Sequence, residues 1–246
     1  MALDKTPTDL TPPPRLLVAS VGTGFAPGVR EATAAACAEF KARGGHVAAF
    51  TQPNLCVMSH MALQATRNFI LMRARQWRFD YVALVEDDVL MDDPTMLWRL
   101  VSHRLQVVSP WWDQSELVPT GAAFRHTLNW PCWGKGQGVK PLDWAVHSLV
   151  VIDTRITDLA GLRPFIDVPM YNVEEYQGLY LQGRGVRWWQ DTDVSARLMR
   201  MPGMQWEYTF DRARMPADEA PEKMAREAAD LRRLYVEAQT EKGLRD

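Results

Sequence analysis

Three consecutive carboxylates, Glu86, Asp87 and Asp88, close the apolar run "YVALVE", and Asp92 and Asp93 follow after a short gap. Like charges side by side repel, so such a cluster is costly unless water, a cation or a basic partner offsets it. Two chemistries suit it. In one, the acids form a solvated turn and Asp92 or Asp93 caps a helix that begins at Pro94. In the other, one or two carboxylates hold a hard divalent cation, which needs oxygen ligands and commonly bridges to substrate phosphates. A second acidic pair, Glu174 and Glu175, follows Asn172. Asn172 and Glu175 stand three apart, the spacing of a capping box at a helix start. The chain also carries ten Trp, many of them in "SPWWDQ", "NWPCWGKG" and "VRWWQDTD". Faces of that size suit core packing, and equally the stacking of sugars or bases.

The elements around these residues set where they can act. "RLLVASVGTGF" reads as a buried strand ending in glycines, and "PGVREATAAACAEFKARGG" as a helix with Val29, Ala32, Ala36 and Phe40 on one face and Gly44 and Gly45 as its stop. "HVAAFTQ" is a second strand. A second helix follows, capped by Ser59, with Ala62, Ala65, Phe69 and Met72 as its apolar stripe, and "YVALVE" is a third strand. Strands alternating with helices at short spacing predict an α/β fold, a mainly parallel sheet with helices on both faces. The acidic run then sits at the carboxyl end of a central strand, where open α/β sheets place their ligands.

Downstream, "PTMLWRLVSHR" reads as a helix and "QVVSPWW" as a strand, and Asp113 to Asp143 as a long irregular segment with the glycines of "GKGQG". "DWAVHSLVVID" is expected as one strand carrying His147, then a short helix near Thr157 to Leu162, a helix begun by Asn172, and the strand "VRWWQDTDV". The expected organisation is a disordered tail over 1–14, a catalytic domain over 15–215, and a helix over 216–246 packed on the domain or on a partner, with Met224, Ala228, Leu231, Tyr235 and Ala238 on one stripe.

Composition narrows the function classes. The 246-residue chain is 47% hydrophobic, enough for a substantial core. With 28 basic against 30 acidic side chains, a protein coating nucleic acid over its whole surface is excluded, though a local basic patch is not. Cys37, Cys56 and Cys132 lack the spacing of a zinc site or a disulfide framework, which fits a reducing, cytoplasmic compartment. No signal-peptide pattern opens the chain, and no apolar run reaches the roughly 18 residues a membrane span needs.

From roughly Leu16 to Val194, the order of features resembles the GT-A family of nucleotide-sugar-dependent glycosyltransferases. "ATRNFILMRARQWRFDYVALVEDDV" resembles the family's helix with an Arg-Asn pair, followed by the strand that ends in a DXD-type acidic motif. The resemblance implies that Glu86 and Asp88 take the acidic positions of that motif as metal ligands, Asp88 foremost, with Mn or Mg as the cation. It implies a donor site at Thr23, Arg67, Asn68, Glu86 and Asp87. "DWAVHSLVVIDTRI" resembles the segment lining the sugar and acceptor pocket, which brings in His147. "YNVEEYQGLYLQGRGVRWWQDTDV" resembles the acidic pair and aromatic strand that follow, with Glu174 and Glu175 at the pair and Glu175 as the general base. Many members carry a metal-binding His after that strand. Here no His lies beyond His147 and Arg197 falls near the position, so either Asp88, diphosphate and water hold the metal or Arg197 itself supplies positive charge.

The implied partners are a nucleotide-diphosphate sugar and a hydroxyl acceptor, whether a saccharide, a protein or a hydroxylated DNA base, and no membrane. Trp130 and Trp133 could form an acceptor platform or a lid, and with Arg125, His126, Lys135 and Lys140 they would make a basic, aromatic surface for DNA. Two rival readings stand beside this one. A sugar-phosphate nucleotidyltransferase would share the sheet and the acidic site, but "SVGTGFAPG" lacks the basic residues such enzymes usually carry after the first strand. A non-catalytic module would hold glycan or single-stranded nucleic acid on its Trp-rich loops.

Overall fold

The computed structural model describes residues 10–22, 25–53, 60–113, 129–130, 133–162, 164–165 and 173–199, with backbone alone at 21–22, 51–53, 60–63, 129–130 and 173–176. The first strand, β1 (Arg15–Gly22), sends Leu16 and Val18 to one face of a sheet and Leu17 and Ala19 to the other, as the pleat requires. Helix α1 (Val29–Ala42) buries Val29, Thr33, Ala36 and Phe40, and ends where Gly44 takes φ 91° and the Gly45 N–H donates to the Phe40 carbonyl. A Cβ on Gly45 would meet the Phe40 ring at 2.2 Å, so the stop expected at these glycines has a steric as well as a conformational reason.

Strand β2 (His46–Pro53), helix α2 (His60–Gln76) and strand β3 (Tyr81–Glu86) complete the first half, with β2 and β3 pairing in parallel on opposite sides of β1. Right-handed crossovers to opposite sides must put the two connecting helices on opposite faces. That is what is seen: α1 joins the cluster containing Leu16 and Val18, and α2 the one containing Leu17 and Ala19.

The acidic turn leads into a three-residue strand, β4 (Val89–Met91), which sequence periodicity does not reveal, and then α3 (Met96–Ser102) and β5 (Val107–Asp113). The strand expected over "DWAVHSLVVID" is broken in two. Strand β8 (Trp144–Ala145) pairs with β6 (Asn129–Trp130) in a separate small sheet, and β9 (Leu149–Asp153) pairs antiparallel with β3. Residues 146–148 must turn between the two sheets, so His147 lies in a turn and not on a strand. Strand β7 (Val139–Leu142), helix α4 (Ile156–Ala160), helix α5 (Val173–Gly183) and strand β10 (Trp188–Leu198) follow. Helices therefore cover both faces, as expected.

The main sheet runs β2-β1-β3-β9-β5-β10-β4, with β7 also on β10. Strands β1, β2, β3, β5 and β10 share one direction, and β4, β7 and β9 oppose it, so the sheet is mixed and mostly parallel. In a flat sheet β4 would lie about 19 Å from β3, four spacings of ~4.8 Å. Three residue steps from Glu86 to Val89 reach only ~11 Å. The sheet must curl back on itself, and β10 shows where: its register against β5 jumps between Asp191 and Ser195, a bulge that bends the strand. The bent half brings Leu198 opposite Val89 and lets the Met199 N–H donate to the Asp88 carbonyl at 2.8 Å.

Two sequence expectations shift. Leu10 and Pro14 are buried and the Arg104 guanidinium donates to the Thr11 carbonyl, so the end of the expected tail is packed on the domain. On α2 the stripe read as apolar faces outward: Phe69 is 43% and Met72 37% exposed, while Gln64, Arg67, Asn68, Ile70, Leu71 and Ala74 are buried. The helix is turned by the hydrogen bonds waiting for Arg67 and Asn68 inside. The helix expected over 216–246 lies outside the described residues.

Candidate functional site

The carboxyl ends of β1 and β3 meet at Val21 and Glu86, and the acidic turn projects from that edge. The loop after β1 is tied to it, the Ala26 N–H donating to the Asp87 carbonyl at 2.8 Å, and the turn before β9 is tied to it by the Glu86 N–H and the Ser148 carbonyl. The expected site residues then divide into three sets.

The first set is a closed network. Arg67, 2% exposed, donates through Nη2 to Glu86 Oε1 at 3.0 Å and through Nη1 to His147 Nδ1 at 3.2 Å, while the Ser148 hydroxyl donates to Glu86 Oε2 at 2.6 Å. A guanidinium only donates, so Nδ1 accepts and the imidazole proton sits on Nε2. Burial pushes the His147 pKa well below its ordinary value, and the Arg67 charge pushes the same way, so the ring is neutral. Phe165 flanks it edge-on and Trp188 at a tilt, with ring centroids 5.4 and 5.3 Å away. With no exposed surface, His147 supports Arg67 and cannot touch an acceptor in this conformation. Asn68 is also engaged: its amide donates to the Phe165 carbonyl and its oxygen accepts the Phe165 N–H, clamping that segment to α2.

The second set is the turn itself. Both Glu86 oxygens are engaged, whereas the buried Oδ1 of Asp88 has no hydrogen-bond partner among the described residues. Burial, then the charges of Glu86 and Asp87, push its pKa up to about 7. A buried carboxylate oxygen without a donor keeps its lone pairs available to a donor or a cation. The donors here are all oxygens, and among the described residues no three His, Cys, Asp or Glu side chains converge. That suits a magnesium- or manganese-like ion held by one or two carboxylates and completed by phosphate and water, not a caged metal. Arg197 comes close through the bent half of β10, opposite Leu90, and its Nη2 donates to Asp92 Oδ1 at 3.1 Å. Of the two roles open to the second acidic group, Asp93 takes the local one, accepting the Thr95 N–H at 2.7 Å ahead of α3.

The third set lies elsewhere or outside description. Trp133 packs near the β10 bulge, its indole N–H on the Pro141 carbonyl, its own carbonyl taking the Trp111 N–H, and Lys140 lies 5.4 Å from its ring centroid. "GKGQG" is stitched to the same bulge, with Gly136 and Gly138 bonded to Thr192. Thr23 and the side chains of Trp130, Glu174 and Glu175 lie outside the described residues. The backbone of the acidic pair is in the first turn of α5, which is seated on β8 by Gly178: a Cβ there would fall 2.3 Å from the Trp144 Cβ. Gln182 adds hydrogen bonds to the carbonyls of Leu142 and Asp143.

Sequence reasoning missed Ser148, which gave no signal because its partner is 62 positions away. Asp191 and Asp193, near the end of the expected strand "VRWWQDTDV", belong to the β10 bulge. Asp191 is fully buried and takes Arg99 Nε at 2.7 Å and His103 Nε2 at 2.8 Å, and Asp193 takes Arg99 Nη2 at 2.7 Å.

No family model matches the chain, and no curated protein matches it. Among solved structures, the chain is similar to A197 from STIV, with 12% identity and a TM-score of 0.51, over 76% of this chain and 86% of that one. It also matches a glycosyltransferase involved in the glycosylation of the major capsid of PBCV-1, with 11% identity and a TM-score of 0.39, over 83% and 100% of the two chains. The first likeness shows a shared fold, and at this identity it shows nothing more.

Proposed function

We propose that the protein is a glycosyltransferase that moves a sugar from a nucleotide-diphosphate donor to a hydroxyl acceptor, with the donor diphosphate at the acidic turn after β3. The observation that carries this reading is the buried Asp88 Oδ1, at the carboxyl edge of the sheet, without a hydrogen-bond partner among the described residues. A divalent ion there would offset the charge of the departing diphosphate. Asp88 would hold that ion, with Asp87 beside it. Glu86, engaged by Arg67 and Ser148, would brace the turn instead of ligating. Arg197, whose side chain is 36% exposed and donates to the surface acid Asp92 at 3.1 Å, would supply positive charge to the diphosphate. Glu175 would draw the proton from the acceptor hydroxyl, with Glu174 next to it, and Thr23 would lie beside the nucleotide base. Trp130 and Trp133 would offer the acceptor a stacking face. The resemblance of the segments around Arg67, Asp88 and Glu175 to the GT-A family supports the roles given to Asp88, Glu174, Glu175 and Thr23; the bracing role of Glu86 rests on its hydrogen bonds instead.

The test is a thermal-shift screen of the full chain against nucleoside diphosphates and nucleotide sugars, with and without manganese, in wild type and Asp88→Asn. At about a hundredfold over its dissociation constant, a ligand stabilises by roughly 2.7 kcal/mol. The expected result is stabilisation by one diphosphate that requires manganese and disappears in the variant. Stabilisation that ignores both metal and variant would sink the metal-assisted reading, and no response to any nucleotide would sink the transferase.

A further inference from the structure

At the opposite end of β3 from the acidic turn, a cleft of about 440 Å³ opens between the start of that strand and the ends of α2, α3 and β9. Four arginines line it: Arg75, Arg78, Arg104 and Arg155. Two are neutralised in place. Arg155 pairs with Asp153, and Arg75 with Asp158 at 2.6 Å. Among the described residues, Arg78 and Arg104 make no ion pair within 4 Å, and both are exposed; Arg104 spends one N–H on the Thr11 carbonyl. The one acid on the cleft wall, Asp80, already accepts the Arg15 N–H at 2.9 Å.

The backbone at the two free arginines is unusual. Arg78 has φ 59° and Arg104 has φ 53°, and each occupies the left-handed position just after its helix, where glycine is the cheap residue. Two helices on opposite faces of the sheet thus end in the same strained way, and aim the same side chain at the same cleft. The helix carbonyls that would repel an anion are already capped: Ala74 by the Phe79 N–H, Arg75 by the Arg78 N–H, and Val101 by the Arg104 N–H. What the cleft presents is therefore guanidinium charge, with forks that match phosphate oxygens in pairs. Phe79 and Tyr81 give it an aromatic floor, and its volume is that of a small-ligand site.

We propose that this cleft binds a phosphate monoester of a small molecule, with Arg78 and Arg104 gripping the phosphate. The site is separate from the acidic turn and stands or falls independently of the transferase reading.

Isothermal titration calorimetry of the full chain, in metal-free buffer of low ionic strength, tests it with three probes: inorganic phosphate, glucose 1-phosphate and uridine 5′-monophosphate. The two esters ask whether a sugar or a nucleoside carries the phosphate. Arg78→Gly and Arg104→Gly remove the side chains at positions where glycine fits the backbone, so both variants are expected to melt no lower than wild type. The expected result is saturable binding of at least one ester, weakened about tenfold or more by either substitution and unchanged in Asp88→Asn. Binding that persists in the double glycine variant would overturn the proposal. So would binding of inorganic phosphate with neither ester, binding lost only in Asp88→Asn, or no saturable heat from any probe at millimolar concentration.

Discussion

Asp88 and His147 lie in the same small region and titrate with opposite consequences. The folded pKa of Asp88 is raised from 3.8 to about 7. Its protonated form therefore adds stability that is fully present below about 3.8 and is lost as pH rises through about 7. The folded pKa of His147 is depressed below 6.5, so its contribution is present above that value and is lost as pH falls through its folded pKa. In wild type the two partly cancel between pH 4 and 7, which is why a substitution is needed to separate them. In the presence of a chelator, Asp88→Asn is expected to be more stable than wild type at pH 8, and the gain to shrink as pH falls toward 4. At ~1.4 kcal/mol per pKa unit, the shift caps that gain at roughly 4 kcal/mol. Urea midpoints of the two proteins across this range would decide it: a variant less stable than wild type at pH 8 would mean that the carboxylate has a donor and the site no appetite for a cation. The acidic cluster was legible in the sequence because it is local. What each acid does was not, since Glu86 is committed by Arg67 and Ser148, 19 and 62 positions away, and Asp88 is singled out only by what its neighbours have already taken.

At the scale of elements, the first half of the fold could be read because its signals are periodic and short-ranged. The strands β1, β2 and β3 and helix α1 fall where alternation, helical spacing and glycine stops put them. Helix α2 was found but rotated, since a hydrophobicity pattern ranks Phe69 and Met72 above Arg67 and Asn68 and cannot see partners waiting in the interior. β4, three residues long, exists only because β10 bends to meet it, and the break at His147 exists only because β8 leaves the main sheet. The bend itself has an anchor. Burial alone would raise the Asp191 pKa, but hydrogen bonds from His103, Arg99 and the Asp193 N–H outweigh it and lower it from 3.8 to about 2. This depressed value means stability that is present above 3.8 and lost as pH falls through about 2. Asp191→Asn is expected to cost about 2 kcal/mol at pH 7, and less as pH drops toward 3, in urea unfolding. Because α3 is fastened to the bulge through this group, the variant should also weaken the manganese-dependent diphosphate response, the bent half of β10 being what carries Arg197 to the acidic turn. An unaltered stability would show that Arg99, still held by Asp193, suffices to keep the bulge.

Over the whole molecule the formal charge is only −2, yet it is unevenly placed along β3. Glu86, Asp87 and Asp88 crowd one end, and the arginine-lined cleft opens at the other. The cleft was not legible in the sequence, because its arginines are scattered from 75 to 155 and gather only when four elements end at one edge. Five residue steps at ~3.3 Å separate the ends by about 17 Å, roughly two screening lengths at physiological salt. Charges so far apart barely feel one another through solvent, and the strand between them is buried and rigidly paired on both sides. Ligands at the two ends should therefore bind without coupling. With the diphosphate and manganese saturating one end and the phosphate monoester the other, the two stabilisations are expected to add to within about 0.5 kcal/mol, each following its own concentration. A combined effect no larger than the greater single one would mean that both ligands compete for one end, and the Asp88→Asn and Arg78→Gly variants would then identify which end it is. A sum well above additive would instead make the sheet a conduit, since a coupling of that sign requires each ligand to favour a conformation that the other also prefers.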